Sequence, residues 1–253
     1  PNVGKIAERQ SPEVSAEEAG HDGEFVSVTG ELTTDETIGD PSYLANGAYI
    51  TLSRVAEQYV WVQHSESETR DKVGGGTETV TTYTYELEWT SSPPNSNNFE
   101  DPSYRNPPQR VESESWEVTT ANIGAWRVNV PAANGGGPCI GCRGMPGGDT
   151  LDLSNPEVKL QGEALRATRQ GNYLYLDGDP TNPMVGDHRI SFRALQPGST
   201  VTGFGVADGG QLTPYTFDGD KTFLRVVSGT REAAISSMRT EHTVITWVLR
   251  LVG

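Results

Sequence analysis

A thirteen-residue run, Thr77–Trp89 (TETVTTYTYELEW), alternates without a break and narrows the fold class more than any other stretch of the chain. Val80, Thr82, Thr84, Glu86 and Glu88 fall on one side, and Thr81, Tyr83, Tyr85, Leu87 and Trp89 on the other. Successive strand side chains point to opposite faces, so a period of two marks a half-buried strand whose aromatic side is expected to meet a core. Gly74-Gly75-Gly76 precedes the run, and Tyr59-Val60-Trp61-Val62 precedes the glycines. That order predicts two long antiparallel strands joined by a glycine loop.

Further strand signals stand at Phe25–Val28, Tyr49–Val55, Val111–Val118, Ala125–Val130, Tyr173–Leu176, His188–Leu195, Thr200–Val206 and Thr222–Val227. With 29 glycines and 16 prolines, 45 of 253 positions favour turns, which leaves little room for long helices. Ser228–Met238 is the best helical stretch, capped by Ser or Thr ahead of Glu232, while His242–Val252 reads equally as strand or helix. Five prolines in residues 91–110 forbid regular structure and predict an ordered loop or edge segment. The reading is a mainly β fold, with α+β as the alternative, built of twisted antiparallel sheets with one or two short helices. Four segments are expected: a polar, flexible N-terminal arm or linker over 1–22, with at most a helical turn at Ser15–Ala19; an acidic β-rich lobe over 23–130; a Gly/Cys-rich loop over 131–150; and a charge-balanced β-rich lobe over 151–253 ending in a short helix. An echo between Gly23–Glu31 and Gly171–Asp179 raises the arrangement of two related β-lobes, against the plainer view that strand–turn units share glycine spacing. The string DPSY, at 40–43 and 101–104, reads as repeated turn chemistry.

The charge excludes one class of partner. Nineteen Lys and Arg stand against 34 Asp and Glu, a net −15, and residues 1–120 carry all of it. Such a surface repels a phosphate backbone, so nucleic acid is not an expected partner. The imbalance favours contact between unlike halves of two copies. No run of about 18 apolar residues marks a membrane span.

The residues that carry chemistry elsewhere are sparse here. Cys139-Ile-Gly-Cys142 offers a small disulfide, idle thiols, half a metal site or a redox pair; the first two are the plainer readings, since no second Cys or His pair completes a zinc site. Asp177, Asp179 and Asp187 gather in DGDPTNPMVGD, and Asp218 and Asp220 in FDGDK. Calcium takes such oxygens, but the spacing departs from the calcium-loop pattern, and solvated turn acids are the stronger reading. His21, His64, His188 and His242 lie far apart, and no nucleophile-elbow, phosphate-loop or zinc-protease string occurs. Alternating glutamates, as at 112, 114 and 117 or 86 and 88, are the usual solvent face of a strand. No catalytic residue is proposed by the sequence.

An ordered series of short strings resembles the large soluble domain of the transmembrane protein 43 family. It runs through Gly30-Glu31-Leu32, Gln58-Tyr59-Val60-Trp61-Val62, Thr82-Tyr83-Thr84-Tyr85 with Trp89, Asn98-Phe99 and Asn106-Pro107. It continues through Val185-Gly186-Asp187-His188-Arg189-Ile190-Ser191-Phe192, Gln211-Leu212-Thr213-Pro214-Tyr215 and Thr246-Trp247-Val248-Leu249-Arg250. The resemblance implies the lumenal or extracytoplasmic domain of a multi-pass membrane protein, an oligomerising scaffold that binds other envelope proteins. It brings no catalytic residues; Tyr59, Trp61, Tyr83, Tyr85, Trp89, Gly186, Asp187, Arg189, Phe192, Pro214, Tyr215 and Trp247 are its structural motif positions. Two departures stand out: the Gly-Cys stretch replaces a more regular segment, and the flanking membrane helices are missing. The expected function is therefore a non-catalytic assembly domain without a cofactor, partnered by itself or by envelope proteins and anchored through segments outside this chain. The alternatives are a secreted subunit that polymerises by donating residues 1–22 to a neighbour's sheet, and an unrecognised hydrolase.

Overall fold

The structure is a computed structural model that describes residues 2–72, 74–135, 144–217, 219 and 221–252, with side-chain surroundings as far as Val244. Helix α1 (Val3–Gln10) leads to strands β1 (Glu13–Val14), β2 (Phe25–Thr33), β3 (Ile38–Asp40), β4 (Leu44–Gly47), β5 (Thr51–Asp71) and β6 (Thr77–Thr90). Strands β7 (Glu114–Glu117), β8 (Thr120–Ile123) and β9 (Trp126–Asn129) precede helix α2 (Val130–Gly135) and β10 (Asp149–Thr150). Then come β11 (Thr168–Gln170), β12 (Tyr173–Tyr175), β13 (His188–Leu195), β14 (Thr200–Asp208), β15 (Gln211–Thr213), β16 (Tyr215–Phe217), β17 (Lys221–Phe223), β18 (Arg225–Ser228) and helix α3 (Arg231–Val252).

Five strands close on themselves in the order β2-β8-β9-β15-β14 and back to β2, with β1 and β18 added at the margins. Every pairing in the closed ring is antiparallel except β9 with β15. Val26, Val28 and Leu32 of β2 meet Ile123, Trp126, Val128, Val201 and Leu212 in a continuous buried cluster. A ring of five strands has a narrow interior, and β14 answers with small residues. A Cβ on Gly203 would stand 2.7 Å from Ile123 Cδ1, and one on Gly205 2.8 Å from the Thr213 carbonyl. The opposite parity of β2 and β14, Phe25 and Phe204, packs outward against α1 and α3 through Val3, Ala7, Ala234, Ile235 and Met238. Barrel and helix pair thus share two strands that are buried on both faces.

The N-terminal residues are not a flexible lead-in. Asn2 caps α1 by accepting the Lys5 amide at 3.1 Å, and Arg231 caps its far end. The Arg231 guanidinium donates to the Ser11 and Glu8 carbonyls at 2.9 and 3.1 Å and to Ser27 Oγ at 3.0 Å, satisfying groups that a helix terminus leaves open. Strand β1 then pairs parallel with β2. Ser15–Ala19 forms no helical turn; instead the Ser15 carbonyl accepts the indole N–H of buried Trp126 at 2.8 Å. Gly124 takes φ +59, and a Cβ there would meet the Ala16 carbonyl at 2.2 Å.

The second sheet runs β11-β12-β13-β5-β6, with β10 beside β13 and β7 beside β5, all antiparallel. One parity of β5, Leu52, Arg54, Ala56, Gln58 and Val60, is buried, and Leu52 and Ala56 join Leu174, Ile190 and Phe192 in its core. The hairpin read from the sequence is present, and His188–Leu195 forms a strand with the bounds read for it. Two readings change. Helix α3 runs 22 residues, through the stretch that read as strand or helix, so the C-terminal helix is long. The aromatic side of β6 does not face that core: Tyr83 is 38% exposed, and Tyr85 is covered by the 91–110 loop.

Both sheets take strands from both sides of residues 131–150, so the acidic and balanced halves of the sequence are not halves in space. The argument for contact between unlike halves loses its footing accordingly. The echoing segments also differ: Phe25–Thr33 is a nine-residue barrel strand, while Tyr173–Tyr175 is a three-residue strand of the open sheet. Both DPSY strings are turns of one kind, each Asp accepting the N–H two residues on at 2.9 Å.

Candidate interaction surface

The half-buried parity of β5 and β6 carries an aromatic row. Tyr59 lies 5.2 Å from Trp89, which meets Tyr175 edge-on at 5.6 Å. Arg189 reaches over this row from β13, 4.6 Å from the Trp89 ring and 4.0 Å from that of Tyr173, while its Nε donates to Glu57 at 2.9 Å. Further along, Tyr104 stacks on Tyr85 at 4.0 Å and meets Trp61 edge-on at 4.7 Å, with Phe99 against Tyr85 at 5.8 Å. The Pro-rich loop thus supplies the aromatics that cover this face, so its proline content concealed a packing role. Asn106 locks the loop in place: its side-chain amide accepts the Trp61 N–H and donates to the Trp61 carbonyl, both at 2.9 Å, as a neighbouring strand would.

His188 forms the second anchor of the loop. It is fully buried; its Nε2 accepts the Arg110 main-chain N–H at 3.2 Å, and its Nδ1 lies 3.3 Å from Asp177 Oδ2. Arg110 Nη2 donates to the same Asp177 oxygen at 2.5 Å. Burial, then the Arg110 charge, lowers the His188 pKa from 6.5, against the raising pull of Asp177 and Asp187. The ring is therefore neutral with its proton on Nδ1. A His–Asp pair resembles a general base with its orienting acid, but a base needs a free nitrogen, and here a main-chain amide occupies it.

The candidate calcium acids serve turns and ion pairs. Asp177 is engaged as above; Asp179 accepts the Thr181 N–H and hydroxyl at 2.9 and 2.8 Å, which lowers its pKa; and Asp187 accepts the Met184 N–H at 2.8 Å. Gly178 is left-handed at φ +67, and a Cβ on it would press on Asp187 Oδ2 at 2.2 Å. Asp218 and Asp220, like Cys139 and Cys142, lie outside the described residues. Among the described residues, one group has ligand atoms mutually within 4.8 Å: His64, Glu86 and Glu88, on the solvent face of the hairpin. His64 Nε2 is 2.8 Å from Glu88 Oε1, and the trio could seat a divalent cation with its remaining positions open to water. Cross-strand adjacency assembles it, which no string in the sequence signals.

The motif positions fall into separate places. Tyr59, Trp61, Tyr85, Trp89 and Arg189 build the aromatic row, Tyr83 stands beyond it, and Gly186 (φ +99) packs on Pro107. Phe192 is core, and exposed Pro214 precedes Tyr215, which stacks on Phe25 at 4.2 Å and donates to Gln10 Oε1 at 2.9 Å. Trp247 lies in α3, and its side-chain surroundings are not described.

The fold is thus a mainly β domain, a small closed barrel beside an open sheet, whose outward features are sheet edges and aromatic faces. Its sequence matches the family described as Transmembrane protein 43 over residues 58–253, and the chain belongs to that family. Transmembrane protein 43 of Rattus norvegicus is 28% identical over 248 residues, covering 92% of this chain and 58% of the relative. The Mus musculus and Homo sapiens proteins of the same name are 28% and 27% identical, with the same coverage. The chain therefore spans a little over half the length of these relatives, whose names denote a membrane protein and no reaction. No solved structure matches it. No helix among the described residues is long and apolar enough to cross a membrane.

Proposed function

We propose that this chain is a non-catalytic assembly domain of an extracytoplasmic or lumenal part of a membrane protein, joined to the bilayer through segments outside it. The observation that carries this reading is the β5–β6 hairpin, whose outer half leaves the body with both faces and both long edges uncovered by any other described strand. Buried polar groups support the same view, because they pin the structure. Arg54 bridges Asp40 and Glu114, and His188 holds Arg110 with both ring nitrogens engaged. The partners are first further copies of this chain, with other envelope proteins joining that assembly; nucleic acid is disfavoured by the net −15. No cofactor enters this reading.

Polymerisation by donating residues 1–22 is less favoured, because α1 and β1 already occupy their own barrel and helix layer, and donation would require their release. Sedimentation velocity across a wide concentration range tests the proposal. A mass above that of one chain, rising with concentration, is expected; a single-chain mass at every concentration would refute it.

A further inference from the structure

Beyond Gln63 the hairpin stands clear of the molecule: every described residue in 64–71 and 77–84 is exposed. Eight cross-strand pairs, His64 with Thr84 through Asp71 with Thr77, make an arm of roughly 25 Å at ~3.4 Å per residue. A two-stranded ribbon in water is marginal on its own and is normally held by a third strand or a packed face.

The hydrogen-bond parity shows which groups are open. Trp61 directs both its N–H and its carbonyl to Asn106, away from β6. In an antiparallel ladder these two groups of a residue point the same way, and the direction alternates along the strand. The odd-numbered residues of β5 therefore point away from β6, and with Trp61 opposite Leu87 the odd-numbered residues of β6 point away from β5. Among the described residues the sheet ends at β6, so the main-chain groups of Thr77, Thr79, Thr81 and Tyr83 face outward with no described strand beside them. Of the devices that usually blunt such an edge, residues 77–83 hold a single charged side chain, Glu78, and β6 contains no Pro, Lys or Arg.

We propose that residues 77–83 of β6 pair antiparallel with the same residues of a second copy of this chain, about a two-fold axis through Val80. The inference rests on the assembly reading above and names its surface. In this register Thr79 faces Thr81 and Thr77 faces Tyr83, four residue pairs that each exchange two main-chain hydrogen bonds. Val80 meets Val80 on the axis in a non-hydrogen-bonded pair, with Cβ atoms about 5 Å apart. Val80 and Tyr83 are 43% and 38% exposed, and both lie within the paired stretch.

Charge excludes registers shifted toward the base of the arm. The one carboxylate in the stretch, Glu78, faces Thr82 and has Lys72 of its own arm at 3.7 Å. An axis through Thr82 would set Glu78 against Glu86, and one through Tyr83 would set it against Glu88, like charges directly opposed. A closed two-fold contact uses the β6 edge in both copies, so it cannot propagate through that edge.

Two variants in the full chain test the proposal, with Cys139 and Cys142 replaced by Ser for the thiol experiment. Val80→Cys is expected to form disulfide dimers in mild oxidant, whereas Thr82→Cys, which sits about 13 Å from its symmetry mate, forms few. Thr79→Pro removes an outward N–H and the Thr69–Thr79 hydroxyl contact but no main-chain bond to β5, so the β5–β6 ladder persists, checked by circular dichroism, while sedimentation drops to a single chain. If wild type associates yet Val80→Cys cross-links no better than Thr82→Cys and Thr79→Pro keeps its mass, this surface is wrong and the assembly reading stands. If wild type never exceeds one chain, both fall.

Discussion

Replacing Arg54 by Met tests how far buried polar groups hold this fold together. The Arg54 side chain is 8% exposed and that of its partner Asp40 is 1% exposed, so the pair is removed from solvent. Arg54 also donates to Glu114 at 3.0 Å and to the Glu112 carbonyl at 3.0 Å, and lies over the rings of Tyr43 and Trp116 at 5.1 and 5.4 Å. It therefore ties β3 and β7 to the start of β5. In Arg54→Met the Asp40 carboxylate keeps the Ser42 amide, at 2.9 Å, but loses its counter-charge. An uncompensated buried charge costs about 3–5 kcal/mol, a large share of the ~5–15 kcal/mol that holds a domain folded. Glu114 is 57% exposed and rehydrates, adding little. The flexible thioether keeps contact with the two rings, so lost packing is a minor part. Arg54→Met combined with Asp40→Asn removes the stranded charge and is expected to recover all but about 1–2 kcal/mol. Urea unfolding followed by tryptophan fluorescence measures all three variants, and Trp116 reports from beside the site. A single-variant loss under about 1 kcal/mol, or a double variant no better than Arg54→Met, would refute the reasoning.

Three further outcomes follow from the geometry. His188 is neutral in the fold with a pKa lowered from 6.5, so stability is full above that value and falls below it as the unfolded chain alone takes up the proton, by up to about 1.4 kcal/mol per pH unit until the folded pKa is reached. His188→Asn should flatten that part of a urea-midpoint profile against pH, and an unchanged slope would remove His188 as its cause. Asn106→Ala deletes two hydrogen bonds to Trp61 and should cost about 1–3 kcal/mol, with faster proteolytic nicking of residues 91–110; wild-type cleavage rates would contradict the anchor. Gly124→Ala, at φ +59 and against the Ala16 carbonyl, should lower the melting temperature by several degrees, reflecting ~1–3 kcal/mol of strain, and an unchanged melting curve would show that the contact yields.

The sequence displayed what is local. Alternation over 77–89 and 188–195, with glycines between neighbouring runs, is enough to place β5, β6 and β13 because strand periodicity needs no distant partner. Barrel closure was hidden, since it depends on Gln211 and Leu212 lying parallel to Arg127 and Val128. Helix α1 was hidden because its buried face is only Val3, Gly4 and Ala7, too small to set a period. The β-branched residues around Val244 made α3 ambiguous, where continuation of the capped helix prevailed. Candidate-site residues were the least legible: Arg110 reaches Asp177 across 67 positions, and Asn106 completes the edge of β5 across 45. The aromatics of residues 91–110 were masked by their prolines, so Tyr85 was given a core partner when its cover is Tyr104 and Phe99.

Amide exchange resolved along β6, at low and at high protein concentration, tests the assembly claim most directly. Val80, Thr82 and Thr84 point to β5 and should be protected at both concentrations, whereas Thr77, Thr79, Thr81 and Tyr83 should gain protection only at the high one. If the odd-numbered amides exchange freely in a sample whose mass has doubled, the copies meet elsewhere. If neither protection nor mass changes with concentration, the chain is not an assembly domain.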